Sequence, residues 1–223
     1  MSELGQRYQA IVEKIATAAN LAKRDPEQIT LVVVSKNHPH QLVLDLIDLG
    51  ARDFGENRDQ EANPKAKQIA LESDKPISWH FIGQLQTNKV KSVLEYANFL
   101  HSLDRSSLLD ELIRRTSERA TALKVFIQVN MTEDPGRGGV NPLELMAFSE
   151  RVISSPGLEL VGLMGVGGLD VAPEREFERL AQLSNQLQQL APEANKLSMG
   201  MSGDFETAIA YGATHLRIGT AIT

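Results

Sequence analysis

The chain has 223 residues, and its 23 Lys plus Arg against 29 Asp plus Glu give a formal net charge of −6. An acidic chain offers no general attraction to nucleic acid or anionic lipid, so we expect neither as a partner, and any phosphate must be recognised locally. The sequence has no cysteine, which excludes disulfides, thiolate metal sites and thiol nucleophiles and fits a reducing compartment.

The N-terminal segment predicts an amphipathic helix rather than an export signal. Tyr8, Ile11, Val12, Ile15 and Ala19 recur at helical spacing, and charged residues are spread among them. No run of about 18 apolar residues suggests a membrane span. We therefore expect a cytoplasmic protein that makes no membrane contact and begins with an extra helix.

Short β-branched runs then alternate with longer amphipathic runs, which is typical of β/α units around a parallel sheet. The predicted strands are Thr30–Ser35, Arg52–Phe54, Ser78–Ile82, Asn98–Ser102, Lys124–Asn130, Glu159–Met164, Lys196–Met199 and Thr214–Ile218. The predicted helices between them are His40–Leu49, Gln60–Leu71, Thr87–Tyr96, Arg105–Ala120, Pro142–Ile153, Pro173–Leu190 and Asp204–Tyr211.

Eight such units in a chain of this length favour an α/β fold, a (β/α)8 TIM barrel, over the alternative of an open doubly wound sheet. No linker divides the sequence, so we expect one domain over residues 1–223. A closed sheet without free edges also favours a monomer. In such a barrel the functional groups lie after the strands, at their carboxyl ends.

Lys36 follows the first predicted strand, after the apolar run LVVV and Ser35. A lysine at a dry barrel mouth loses solvation, its pKa falls, and the neutral amine can form a Schiff base. Position alone favours a surface lysine where a strand meets a loop.

Small residues follow the last two strands, in SMGMSGD (198–204) and RIGT (217–220). Barrels often bind phosphate there, because glycines let backbone N–H groups approach an anion while hydroxyls add donors. The alternative is ordinary helix capping by Ser202 or Asp204. Arg217 lies between apolar residues, so its charge projects into a polar site or pairs with a carboxylate at the barrel mouth.

Other polar residues give weaker indications. Asn57 in FGEN offers a donor and an acceptor after strand two, although a turn-forming Asn is the default explanation. For His80 the sequence favours a core histidine with satisfied ring nitrogens over a catalytic one. GVGG (165–168) lacks the last glycine of a dinucleotide fingerprint, and PGRGG (135–139) is typical of a loop. His38 and His40 fit a turn better than a metal site.

Seven motifs in order resemble the pyridoxal phosphate homeostasis protein family: VVVSK, FGENRDQE, WHFIGQLQTNK, HSLDR, GLMGVGG, LSMGMSGDF and RIGTAI. The resemblance runs from about Ile29 to Ile222 and implies a barrel like the N-terminal domain of alanine racemase. It implies pyridoxal 5'-phosphate (PLP) as cofactor. The residues it assigns to the cofactor are Lys36 for the Schiff base, Asn57 beside the ring, Arg217 at the pyridine nitrogen, and Ser202, Gly203, Gly219 and Thr220 at the phosphate.

Three functions are compatible with these features. The first is a PLP carrier without catalytic residues or a metal, which exchanges cofactor with PLP-dependent apoenzymes or free amino acids. We favour it because the sequence holds no second domain to supply the opposing acid–base residue of a racemase. The second is an amino-acid racemase or lyase that pairs Lys36 with His80 or Tyr211. The third is a barrel enzyme that binds a sugar phosphate.

Overall fold

The computed structural model describes residues 2–116, 121–132, 138–166 and 172–223. Eight parallel strands form a closed barrel in which each strand pairs with the next in chain order and the last pairs with the first. The predicted TIM barrel and its extra N-terminal helix are confirmed.

The strands are β1 Thr30–Val34, β2 Asp53–Glu56, β3 Ser78–Phe81, β4 Phe99–Leu103, β5 Leu123–Gln128, β6 Leu158–Met164, β7 Lys196–Ser198 and β8 His215–Ile218. The helices are α1 Glu3–Leu21, α2 His40–Asp48, α3 Asp59–Glu72, α4 Val90–Val93, α5 Ser106–Thr116, α6 Leu145–Ile153, α7 Pro173–Leu190 and α8 Phe205–Ala210.

Strand β2 and the helix predicted over Thr87–Tyr96 differ from the sequence prediction in their extent. Strand β2 extends to Glu56 instead of ending at Phe54, so a buried carboxylate lies within the sheet. The helix predicted over Thr87–Tyr96 is a 3-10 turn, Thr87–Lys89, followed by the single turn α4, in which Val90 and Val93 are buried. The predicted helix Arg105–Ala120 is α5 up to Thr116, and residues 117–120 lie outside the described residues.

Apolar side chains of the strands and helices form one main core, and the N-terminal helix belongs to it. Ile11, Ile15 and Ala19 of α1 are buried, and α1 packs on α8. The strands also contribute buried polar side chains, namely His80, His101, His215 and Arg217. Within the described ranges, no helix combines the length and apolar character needed to cross a membrane.

Candidate cofactor site

One cavity at the carboxyl ends of the strands brings together all seven residues assigned from the sequence. It has a volume of about 480 Å³, within the range of about 300–1,000 Å³ that is usual for small-molecule sites. Its polar lining includes Lys36, Asn57, Ser202, Gly203, Arg217, Gly219 and Thr220. A larger groove of about 690 Å³ lies outside the barrel between α1 and α8, and none of the seven residues lines it.

Lys36 lies in the turn after β1, and its side chain is exposed. The structure agrees with the surface lysine that position alone favours, and the alternative of a desolvated lysine is wrong. The turn explains this exposure: Asn37 adopts left-handed backbone with φ 63°, and its N–H donates to Glu61 of α3 at 3.1 Å. The chain thus leaves the buried layer of β1 directly after Ser35, and Lys36 is accessible to solvent.

A buried ion pair fixes the residue that precedes Lys36. The Nζ of Lys65 in α3 lies 2.5 Å from Oε1 of Glu56 and donates to the carbonyl oxygen of Ser35 at 2.8 Å. The Ser35 hydroxyl also donates to Glu56 Oε1 at 2.8 Å. Neither Glu56 nor Lys65 was identified as a site residue from the sequence, although Glu56 belongs to the FGEN motif.

Asn57 follows β2 and supplies a polar atom without a partner. Its Oδ1 is buried and accepts no hydrogen bond from the described residues. Gly83, after β3, contacts the Asn57 backbone so closely that a Cβ there would lie 2.2 Å from the Asn57 carbonyl oxygen. A buried acceptor that lines the cavity fits a ligand with hydrogen-bond donors.

The loops after β7 and β8 present two hydroxyls to the cavity. Thr220 Oγ1 donates to Ser202 Oγ at 3.2 Å. A Cβ at Gly203 would meet no atom within 4 Å, so that backbone borders open space. The alternative of helix capping is not observed, because the Asp204 carboxylate accepts from the Met201 N–H at 2.6 Å and does not cap α8.

Arg217 of β8 is buried at the base of the cavity. Its Nη1 donates to Ser198 Oγ at 2.6 Å and its Nη2 donates to the Gly165 carbonyl oxygen at 3.0 Å. Burial lowers the pKa of the guanidinium to about 10, which still leaves it charged at neutral pH. Among the described residues it forms no ion pair, so the alternative of a direct carboxylate partner is not observed.

His80 is a core residue, as the sequence favoured. It is fully buried, and its two ring nitrogens contact His101 and Asp53. Neither His80 nor Tyr211 lines the cavity. His38 lies in the turn after β1, and His40 is the first residue of α2.

The described part of the chain contains no group of three or more His, Asp or Glu side chains arranged to hold a metal ion. The GVGG and PGRGG motifs fall partly outside the described residues, at 167–168 and 135–137.

Known proteins resemble this chain over nearly its whole length. A family model described as "Alanine racemase, N-terminal domain" matches residues 7–223. The chain is 36% identical to the Pyridoxal phosphate homeostasis protein of Escherichia coli over 229 aligned residues, which cover 100% of this chain and 96% of that protein. It is 38% identical to the protein of that name from Pseudomonas aeruginosa, covering 100% and 95%.

The chain belongs to the pyridoxal phosphate homeostasis protein family. The resemblance drawn from its seven motifs is thereby confirmed. PipY of Synechococcus elongatus, solved with PLP bound, superposes with a TM-score of 0.81 at 34% identity, covering 93% of this chain and 99% of PipY. Alanine racemase of Corynebacterium glutamicum superposes with a TM-score of 0.69 at 15% identity, covering 96% of this chain and 60% of the racemase, and shares the fold alone.

Proposed function

We propose that this family member binds pyridoxal 5'-phosphate in the cavity at the carboxyl end of its barrel and holds it on Lys36 for intracellular PLP homeostasis. The observation that carries the proposal is that one cavity is lined by an accessible lysine, a buried guanidinium, a free buried acceptor and paired hydroxyls. The names of the Escherichia coli relative and of PLP-bound PipY support the same ligand. When bound, the cofactor supplies an aldehyde that forms a Schiff base with a lysine amine.

Different residues of the cavity would bind different parts of the cofactor. Ser202 and Thr220 would bind the phosphate through their hydroxyls, and Gly203 and Gly219 let backbone N–H groups approach the same anion. Lys36 lies on the loop after β1, the strand that pairs with β8. Asn57 would accept a hydrogen bond with its buried Oδ1.

Arg217 favours holding the cofactor over chemistry on it. A guanidinium only donates hydrogen bonds and stays charged at neutral pH, so a ring nitrogen facing it accepts a bond and resists protonation. An unprotonated pyridine is a poorer sink for electrons, which weakens carbanion chemistry. The proposed role is accordingly non-enzymatic.

The exposure of Lys36 suits exchange with other molecules. An accessible amine can be approached by free amino acids or by PLP-dependent apoenzymes, which we propose as acceptors. We propose a monomer acting in the cytoplasm as one domain, consistent with a closed barrel and an N-terminal helix that packs on α8.

The visible spectrum of the PLP-loaded full chain tests the assignment. We expect Lys36→Ala to remove the Schiff-base absorbance while Lys67→Ala, at an exposed lysine of α3, retains it. Retention in Lys36→Ala would contradict the role of Lys36. To separate the carrier from a racemase or lyase, α-proton exchange of amino acids is followed by NMR with the loaded protein. The proposal predicts negligible exchange, and exchange at enzyme-like rates would overturn it.

A further inference from the structure

A continuous chain of hydrogen bonds runs through the barrel interior from the cavity toward the opposite end. Arg217 Nη1 lies 2.6 Å from Ser198 Oγ, and Ser198 Oγ lies 2.7 Å from His101 Nδ1. His101 Nε2 lies 2.9 Å from His80 Nδ1, and His80 Nε2 lies 2.9 Å from Asp53 Oδ1. The five residues come from β8, β7, β4, β3 and β2. Asp53 begins β2, and its side chain is 27% exposed.

The Asp53 carboxylate fixes the direction of the bonds when both histidines are neutral. A carboxylate can only accept, so His80 carries its proton on Nε2 and donates it to Asp53. The unprotonated Nδ1 of His80 therefore accepts from Nε2 of His101, and the Nδ1 of His101 then accepts from the Ser198 hydroxyl. The Arg217 guanidinium, which can only donate, completes the series at the Ser198 oxygen. The chain thus assigns one tautomer to each of the two histidines.

The surroundings of the two histidines keep them neutral, as this assignment requires. Both are completely buried, and burial is the main cause that lowers the pKa of His80 and places that of His101 well below the ordinary value. The Asp53 carboxylate opposes the shift at His80, while the charge of Lys124 adds to it. A charged His80 would donate from both nitrogens and reverse the bond to His101.

The series of hydrogen bonds also explains how the buried charge of Arg217 is stabilised inside the barrel. A buried charge is costly unless it is paired or well hydrogen-bonded, and Arg217 makes no ion pair among the described residues. The Asp204 carboxylate acts on it favourably from a distance. Hydrogen bonds aligned in one direction polarise one another in a low-dielectric interior. A chain that starts at the guanidinium and ends at the Asp53 carboxylate therefore stabilises both the charge and its orientation.

We infer that Asp53, His80 and His101 are positioning residues that act through Ser198 to hold the Arg217 guanidinium charged and oriented in the cofactor cavity. The consequence for PLP binding rests on the function proposed above. The histidine tautomers and the fixed orientation of the Arg217 side chain are properties of the protein without cofactor.

His215 provides a matched control inside the same cluster. Its ring lies 6.0 Å from that of His80 and 6.1 Å from that of His101 between centroids, and it is buried. Its Nδ1 pairs with Thr214 Oγ1 at 3.0 Å, so it lies beside the chain rather than in it. A role limited to packing would make His101→Gln and His215→Gln equivalent.

The first experiment is histidine ¹⁵N NMR on the cofactor-free full chain at neutral pH. We expect His80 and His101 each to show a single Nε2–H tautomer. Averaged tautomers, or a proton on His101 Nδ1, would overturn the inference. Asp53→Asn retains an acceptor and should keep the His80 tautomer, whereas Asp53→Leu should lose it. Identical spectra from these two variants would contradict the proposed hydrogen bond from His80 to the Asp53 carboxylate.

The second experiment follows Arg217 itself. In the cofactor-free protein the Nη signals of a held guanidinium are resolved, and we expect His101→Gln to average them while His215→Gln does not. With PLP, we expect His101→Gln to weaken binding about tenfold, the scale of one charge-assisted hydrogen bond, and His215→Gln to leave it unchanged. Equal effects in both variants, or none in either, would overturn the inference. Failure of the unsubstituted chain to bind PLP would contradict only the proposed function.

Discussion

The hydroxyls of Ser202 and Thr220 lie 3.2 Å apart, although they belong to loops after different strands. Strands β7 and β8 are neighbours in the barrel, so closure of the sheet brings their loops to one side of the cavity. Two hydroxyls and two glycines at this place can donate to a single anion. We propose that this pair marks the phosphate end of the site, whereas Lys36 lies on the loop after β1.

Thr220→Val should therefore weaken PLP binding selectively. Losing a hydrogen bond to a charged group costs about 1.5–3 kcal/mol, which corresponds to roughly ten- to a hundredfold in the dissociation constant. Titration with PLP and with pyridoxal, which has no phosphate, measures the difference. Thr207→Val, on the groove between α1 and α8, serves as control and should change neither. An equal loss for both ligands would place Thr220 away from the phosphate.

The Glu56–Lys65 pair makes a prediction about stability. Lys65→Met leaves a carboxylate buried without its partner and should lower the free energy of unfolding by about 3–5 kcal/mol. The double variant Lys65→Met/Glu56→Leu removes both charges and should recover most of that loss. Urea denaturation gives the values, with Lys67→Met, 66% exposed, as the control that changes little. A double variant no more stable than Lys65→Met would contradict this prediction, because the unpaired Glu56 carboxylate would then not be the cause of the lost stability.

The buried histidines predict that the fold loses stability in acid. Burial lowers the pKa of His215 to about 3 from 6.5, so below pH 6.5 the unfolded chain takes up a proton that the folded chain refuses. His215 thereby lowers stability by about 1.4 kcal/mol per pH unit as pH falls from 6.5 toward 3. His215→Gln should reduce the slope of unfolding free energy against pH by about one proton in this window. An unchanged slope would mean that His215 takes up a proton as readily in the folded protein as in the unfolded chain.

The sequence predicts the barrel well because its strands are apolar runs that differ sharply from the helices between them. It also predicts the cavity, since residues after the strands of a closed parallel barrel share one end. The exposure of Lys36 matches the surface position that a strand end alone favours. No spacing pattern, however, shows the left-handed turn at Asn37 that produces it.

Two buried features were missed for related reasons. Lys65 and Lys67 flank the same alanine in α3 and look alike in the sequence, yet only Lys65 faces Glu56. His101 belongs to the HSLDR motif, but its hydrogen-bond partner Ser198 comes 97 residues later. Contacts of this kind form only when the sheet closes, so composition and periodicity carry no sign of them.

The central claim is that the lysine holding the cofactor is Lys36, and reductive trapping tests it most directly. The PLP-loaded full chain is treated with borohydride, digested, and mapped by peptide mass spectrometry. We predict one phosphopyridoxyl adduct, on Lys36. An adduct on Lys65 or another lysine, or no adduct on any lysine, would contradict the account.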